Sequence, residues 1–315
     1  MQIPTEILLA IIEETSKRIT TTLVFEYKCS SSRGDTISRA HILISRILPH
    51  LPNLRSLTVI FIPSEAVDPA ILQLLPSTAR LTDIYLACGL YRASFLQHIV
   101  LFPTLEDIAV PDFYPKDAET QAIKLSSKEL PNVRSLTISV EESLLFDNLP
   151  SLVSLVITSD RISSFVEPEL AIRHISGAFA SIRFLALQFV GMDTMASLLS
   201  CFLNLEYISI LDPPSSPSQA HDLSVIFSRT TNIKLKYLQF GYSEYDFLPP
   251  LAQTLLDSMK HLVIVDWNSK KGARRLGKGW KTVIPIIDSS TPSDRWEHMR
   301  QAVEDHVRRN TKTRR

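Results

Sequence analysis

The sequence predicts an α/β solenoid, a horseshoe whose short strands form a parallel inner sheet and whose convex side carries helices. One observation is a phrase that returns: Leu51-Pro-Asn-Leu-Arg-Ser-Leu-Thr-Val59, Leu130-Pro-Asn-Val-Arg-Ser-Leu-Thr-Ile138 and Leu149-Pro-Ser-Leu-Val-Ser-Leu-Val-Ile157. Another is that its skeleton, apolar-x-x-apolar-x-apolar, can be laid down nine times at a mean step of about 26 residues. The third is that amphipathic segments lie between the copies. A strand-plus-helix unit that cannot bury its apolar face alone has to stack on its neighbours.

In chain order, residues 1–22 read as an amphipathic helix and linker, 23–267 as the repeat array, and 268–315 as a basic loop followed by a second amphipathic helix. Pro4 suits a first helical turn because it needs no donor there, and Thr5 and Glu6 favour the positive helix end. Ile7, Leu8, Ile11 and Ile12 then make an apolar stripe. Residues Leu23-Val-Phe-Glu-Tyr27 read as a strand. The nine copies are Leu54/Leu57/Val59, Leu81/Ile84/Leu86, Leu105/Ile108/Val110, Val133/Leu136/Ile138, Leu152/Leu155/Ile157, Ile182/Leu185/Leu187, Leu205/Ile208/Ile210, Leu235/Leu238/Phe240 and Met259/Leu262/Ile264. Each suits a short strand whose alternate residues point inward. Helical spacing recurs at Ala70–Leu75, Phe95–Val100, Met195–Ser200 and Leu251–Leu256. The Pro- and Ser-rich stretch 213–219 reads as an exposed irregular insertion. At the end, Trp296, Met299, Val303 and Val307 share one helix face, expected to dock on the last repeats as a cap.

The 33 basic residues balance 33 acidic ones, so any attraction to nucleic acid or lipid has to come from a local patch. Three cysteines, Cys29, Cys88 and Cys201, are odd in number and lack a Cys-x-x-Cys spacing, which fits a reducing compartment. With no basic leader at the start and no apolar run long enough for a span, the expectation is an intracellular chain with no membrane association.

These copies resemble leucine-rich repeats, whose period is 20 to 29 residues, over about residues 51–267. The family places Asn or Cys three residues after the last apolar position. Here that position reads Ile62, Gly89, Phe113, Glu141, Asp160, Val190, Pro213, Ser243 and Trp267, so no asparagine ladder exists and the turns need other partners. Residues 3–13, Ile-Pro-Thr-Glu-Ile-Leu-Leu-Ala-Ile-Ile-Glu, resemble the opening helix of an F-box. The resemblance implies contact with a Skp-type adaptor of a ubiquitin ligase through Ile3, Pro4, Ile7, Leu8, Ile11 and Ile12. The middle and end of that motif are not present, because the chain passes through Thr15-Ser-Lys-Arg-Ile-Thr20 into the first strand.

In a horseshoe, the third place of each copy faces the concave side. Those places read Ser56, Asp83, Asp107, Ser135 and Ser154, then Phe184, Tyr207, Tyr237 and His261. Rings at one place on adjacent strands make a ladder, which fits a partner-binding surface, stacking that stabilises the sheet, or a face covered by the chain's own C-terminal segment. Arg55, Arg134, Arg183, Lys236 and Lys260 at second places fit a rim or a solvated edge.

Between 270 and 281, Lys270, Lys271, Arg274, Arg275, Lys278 and Lys281 form a basic patch with Trp280 among them. Gly272-x-x-x-x-Gly277-Lys278 looks like a phosphate loop, but Gly279 stands where Ser or Thr is required and a strand-like run follows. The eight histidines show no metal-ligand spacing, there is no Gly-x-Ser-x-Gly elbow, and no carboxylate pair can be nominated for acid/base work. The expectation is a non-enzymatic protein without cofactor: a substrate-recognition protein resembling F-box subunits, holding an unknown protein substrate on its concave face. One alternative is a repeat scaffold with no ubiquitin link. Another is a phosphate or nucleic-acid binder using the basic loop, which the balanced charge disfavours.

Overall fold

The computed structural model describes residues 21–28, 42, 44–62, 66–67, 69–87, 89–90, 98–110, 125–139, 146–158, 180–188, 192–212, 214–230, 234–241, 246–268, 271–276, 279–283 and 299–308. Two compact units are present: Met1–Arg134 with Leu144–Leu149, and Ser135–Ser143 with Pro150–Arg315. Each is a stack of the α/β leucine-rich-repeat type.

In the N-terminal unit, strands β1 (Thr22–Lys28), β2 (Ser56–Ile62), β4 (Asp83–Ala87) and β6 (Asp107–Val110) pair in parallel, in that order. The short β3 (Ala66–Val67) and β5 (Gly89–Leu90) make a separate parallel pair. Register keeps equivalent places level: Thr22, Ser56, Asp83 and Asp107 stand opposite one another in turn. The connections at Leu48–His50 and Pro69–Leu74 are 3₁₀ helices, tighter than the α-helix that the spacing of Ala70–Leu75 suggests.

In the C-terminal unit, β7 (Ser135–Ser139), β8 (Ser154–Thr158), β9 (Phe184–Gln188), β10 (Tyr207–Ile210), β11 (Tyr237–Phe240) and β12 (Ile264–Asn268) run parallel in sequence order. Helices α1 (Met192–Cys201), α2 (Pro217–Arg229) and α3 (Leu248–Ser258) connect successive strands. The sheet then reverses: β13 (Lys271–Leu276) is antiparallel to β12, and β14 (Gly279–Val283) is antiparallel to β13. The basic run expected as a loop is therefore largely a pair of strands. A Lys- and Arg-bearing edge discourages pairing with another chain.

All the predicted apolar triplets from Leu54 to Phe240 are buried. The last one is not as predicted. Tyr237 stands opposite Ile264, so the frame of the final copy is Leu262/Val265/Trp267, three residues later than Met259/Leu262/Ile264. Those three are buried, whereas Met259 is the half-buried C-cap of α3.

Coils are joined by a repeated backbone device. The carbonyl of the second-place residue accepts the N–H groups of the second- and third-place residues of the next coil. Arg55 O accepts Thr82 N at 2.7 Å and Asp83 N at 2.9 Å; Glu206 O accepts Lys236 N at 2.8 Å and Tyr237 N at 3.2 Å; Lys236 O accepts Val263 N at 3.0 Å and Ile264 N at 3.2 Å. The turn that opens the strand closes in the Leu-Pro-x-Leu phrase itself. Leu54 N donates to Leu51 O at 3.2 Å and Leu105 N to Phe102 O at 3.1 Å, across turns with Pro at the position where its fixed φ is favourable.

A different polar device stands in for the missing asparagines at four coils, and it uses the residue just before the triplet. Thr104 Oγ1 donates to Leu81 O and Ser181 Oγ to Leu152 O, both at 2.7 Å. The longer Asn132 Nδ2 reaches Pro103 O at 2.8 Å, and Asn204 Nδ2 reaches Ala180 O at 2.7 Å. These bonds satisfy turn carbonyls from one coil to the next.

The Pro- and Ser-rich stretch also departs from its reading as an irregular insertion, because it starts α2. Ser216 is the N-cap, its side chain accepting Gln219 N at 3.3 Å, and Pro217 fills the first helical turn. Gln219 Oε1 reaches back to accept Ser215 N at 2.8 Å, a capping box displaced by one residue. Among the described residues no helix is long and apolar enough to cross a membrane.

Close packing is tightest at Gly241, whose N–H donates to Ile210 O at 2.6 Å. A Cβ there would stand 1.9 Å from the Leu211 carbonyl oxygen, a backbone atom that cannot step aside alone. Gly241→Ala is expected to destabilise the protein by about 1–3 kcal/mol through a backbone shift. Thermal melting should show it, at roughly 2–4 °C per kcal/mol. Asn204→Ala, which removes one exposed coil-to-coil bond, should cost only about 0.5–1.5 kcal/mol.

Candidate functional site

The sheet face that carries the third and fifth places has a different character in each unit. In the N-terminal unit Ser56, Asp83 and Asp107 occupy the third place and are half-buried, as are Thr58 and Tyr85 at the fifth. Small polar and acidic groups on a parallel sheet face are content with water.

In the C-terminal unit the third-place row reads Ser135, Ser154, Phe184, Tyr207, Tyr237 and Ile264, all in register on adjacent strands. The expected ladder of Phe184, Tyr207 and Tyr237 therefore exists. It is not solvent-exposed. All three rings are buried, in one cluster with Val156, Ala186, Ile264, Met299 and Val303. The cover is helix α4, the described residues 299–308, which lays Met299 and Val303 across the row and packs partly buried Ala302 against it. The C-terminal helix thus docks on the late repeats and covers the ladder, which is one of the readings that the row allows. Strands β13 and β14 continue the sheet past β12.

His261 does not belong to the row. It is exposed in the turn before Leu262, and the shift of register gives its place to Ile264. For the same reason Lys260 leaves the second-place row, where Val263 stands. That row pairs internally: Glu206 lies between Arg183, at 3.6 Å, and Lys236, at 2.5 Å. Such partly exposed pairs add little stability, but they set a fixed alternation of charge along one edge of the covered face.

Beside the ring row runs a second, polar row on the same strands. Ser209, Gln239 and Asp266 occupy the fifth places of β10, β11 and β12. Ser209 Oγ donates to Gln239 Oε1 at 3.2 Å, and the Tyr237 hydroxyl donates to Asp266 Oδ2. Ser209 and Asp266 are buried, so the sheet face holds hydrogen-bonded polar groups inside an otherwise apolar contact. Reading the fifth places across the copies, in the corrected frame, would have found this row.

Burial is the main reason that the Tyr207 hydroxyl is pushed up to about 12. The carboxylates of Glu206 and Glu304 add to it, while Arg300 and Arg183 oppose. Glu304 and Arg300 belong to α4, so the helix acts on this ring electrostatically as well as by contact. Met299 is fully buried and Val303 is 6 % exposed, but Val307, one turn further along the stripe, is 50 % exposed. Burying one Met and one Val contributes roughly 3–6 kcal/mol before the cost of ordering the helix.

Of the basic patch, Lys271, Arg274, Arg275 and Lys281 fall on β13 and β14, where Arg274 stands opposite both Ile264 and Lys281. Lys270 and Lys278 lie outside the described residues, as do Trp296 and the entire adaptor-contact set Ile3, Pro4, Ile7, Leu8, Ile11 and Ile12. Because Lys271–Leu276 is a strand, the glycine-rich run there has no phosphate-loop geometry. Among the described residues no group of three or more His, Cys, Asp or Glu side chains is placed to hold a metal ion.

No protein-family model and no curated protein matches the chain. Solved structures similar to it include the following two. The leucine-rich-repeat-containing protein LegL7 from Legionella pneumophila is 15% identical, with 98% of this chain and 86% of that one covered and a TM-score of 0.46. A protein from Bacteroides fragilis is 14% identical, with 81% of this chain and 76% of that one covered and the same TM-score of 0.46.

The buried ladder makes two measurements decisive. Tyr237→Ala should cost about 3–5 kcal/mol and lower the melting temperature. Tyr237→Phe keeps the ring but leaves the buried Asp266 oxygen without this donor, at about 1–3 kcal/mol. His261→Ala should stay within about 0.5 kcal/mol of the parent, as an exposed turn residue. In alkaline titration followed by tyrosinate absorbance, the parent chain should show one tyrosine, absent from Tyr207→Phe, that ionises near 12. Since the folded form holds this proton more tightly than the unfolded form, its contribution to stability is complete below pH of about 10. It is lost as pH rises towards 12.

Proposed function

We propose that this chain is a protein-binding repeat protein whose sheet face receives a segment of another protein. The observation that carries the reading is the aromatic and aliphatic row Phe184, Tyr207, Tyr237 and Ile264, on a sheet face that holds a helix of the chain itself. A flat parallel face with rings at one level and hydrogen-bonded polar groups at the next provides contact area together with orientation. Catalysis needs a nucleophile, acid/base pair or metal centre at a common point, and the reading asks for none.

The finer proposal is that the bound protein is a substrate presented to a ubiquitin ligase. Its support is the resemblance of residues 3–13 to an F-box opening, with Ile7, Leu8, Ile11 and Ile12 as the adaptor stripe. A scaffold without a ubiquitin link is the coarser reading and survives if this one fails.

Two experiments separate them. Affinity capture with the full chain is expected to retain specific proteins, and Gln188→Arg, half-buried at the margin of the sheet face, should release them at an unchanged melting temperature. If every captured protein stays bound to that variant, sheet-face binding is wrong. Co-purification with a Skp-type adaptor, abolished by Ile7→Asp with Leu8→Asp, is the outcome expected of the ligase reading; an intact chain that never retains the adaptor ends it.

A further inference from the structure

We propose that the N-terminal unit carries a binding site for the phosphate group of a small molecule, in a cleft formed where successive coils enter their strands. The cleft has a volume of about 410 Å³ and is lined by Thr21, Pro52, Asn53, Arg55, Thr78 and Arg80. Small-molecule sites measure roughly 300–1,000 Å³. Three coils supply the lining: Thr21 precedes β1, Pro52, Asn53 and Arg55 lead into β2, and Thr78 and Arg80 lead into β4. The aromatic row belongs to the other unit, so this site does not depend on sheet-face binding.

Its chemistry is that of an anion site. Arg55 and Arg80 bring two guanidinium groups to the lining, beside the amide of Asn53 and the hydroxyls of Thr21 and Thr78, and none of the described lining residues is acidic. Neither guanidinium is committed elsewhere: among the described residues no carboxylate pairs with Arg55 or Arg80. Asp83, whose N–H donates to Arg55 O, has its carboxylate engaged by Thr82 Oγ1 at 2.7 Å. Later coils use the place just before the triplet differently. There Thr104, Asn132, Ser181 and Asn204 bond back to the previous coil. Asn53 and Arg80 hold that place in the first two coils, make no such bond among the described residues, and line the cleft instead.

Two permanent positive charges match a phosphate group, which carries about −1.5 to −2 at neutral pH, better than a singly charged carboxylate. Guanidinium forks bond phosphate oxygens in pairs, and the neutral donors beside them can take the oxygen that remains. The walls are held in place by the fold itself. Thr21 O accepts Arg55 N at 2.8 Å and Ser56 N at 2.9 Å, Arg55 O accepts Thr82 N and Asp83 N, and Ala79 N donates to Pro76 O at 2.8 Å. Backbone fixed on both sides of Arg55 lowers the ordering cost of binding. Both arginines are exposed, so the ligand reaches them from solvent and dissolved salt weakens the contact.

The test follows the phosphorus resonance of inorganic phosphate titrated with the full chain at low ionic strength. Saturable binding is expected, and it should weaken as sodium chloride is added. Arg55→Gln with Arg80→Gln should lower the affinity about tenfold or more at an unchanged melting temperature, because charge-assisted contacts are lost from two exposed side chains. Arg134→Gln, an exposed arginine of the same unit outside the described lining, should stay within about twofold of the parent. A mapping on the parent alone does not depend on how a variant folds: phosphate should protect Arg55 and Arg80 from phenylglyoxal and leave Arg134 as reactive as before. Free phosphoserine should displace phosphate as well as a phosphoserine peptide of about ten residues does, and acetate should need roughly tenfold more. Binding that never saturates, an equal loss in Arg134→Gln, or unprotected Arg55 and Arg80 would overturn the site. Acetate as good as phosphoserine would overturn its phosphate class, and a peptide far better than the free amino acid would overturn the small-molecule ligand.

Discussion

Everything in each unit depends on the carbonyl that one coil hands to the next. A second-place oxygen that accepts two successive amides, as Glu206 O accepts those of Lys236 and Tyr237, fixes the next strand in both height and phase. Phase matters because side chains alternate along a strand. A slip of one residue would turn every triplet outward and every third-place residue inward. With the phase held, Leu205, Ile208 and Ile210 stack beneath Leu235, Leu238 and Phe240, and the core grows as a column rather than a globule.

From that constraint the character of the outer sheet face follows residue by residue. The third place always points away from the column, so its chemistry decides whether the face stands bare or needs a cover. Ser56, Asp83 and Asp107 need none. Phe184, Tyr207, Tyr237 and Ile264 do, and the cover is α4, which transfers the apolar burden of four strands to two side chains of one helix. The polar row below, Ser209 to Gln239 and Tyr237 to Asp266, tolerates burial because its members are hydrogen-bonded.

How much of this was legible depended on whether the sequence signal was periodic. The triplets were, and each of them from Leu54 to Phe240 is in the core. The last frame was lost because Met259 and Leu262 are spaced as a triplet's first two members while Leu262 and Val265 are spaced the same way. Only the pairing of Tyr237 with Ile264 chooses between them, and His261 fell out of the ladder with that choice. The substitute for the asparagine ladder was visible in the phrase Leu-Pro-Asn-Leu itself, but as a turn residue. Its donation to the previous coil, Asn132 to Pro103, is a contact across 29 residues that no local pattern announces. Ser216 was taken for a loop residue for a related reason: Pro and Ser mark irregular chain and helix starts alike.

The cover over the ladder was the hardest feature to read, because two individually sound patterns had to be combined. Helical spacing of Met299 and Val303 and a ring at successive third places were each evident, and together they left a partner surface and a cover by the chain's own C-terminal segment both open. Burial settles it. Over the described residues 299–308 the stripe is sealed at Met299, nearly sealed at Val303 and half exposed at Val307. In a molecule whose column is locked coil by coil through paired backbone bonds, the described contact of α4 with the strands is the side-chain packing of Met299, Val303 and Ala302.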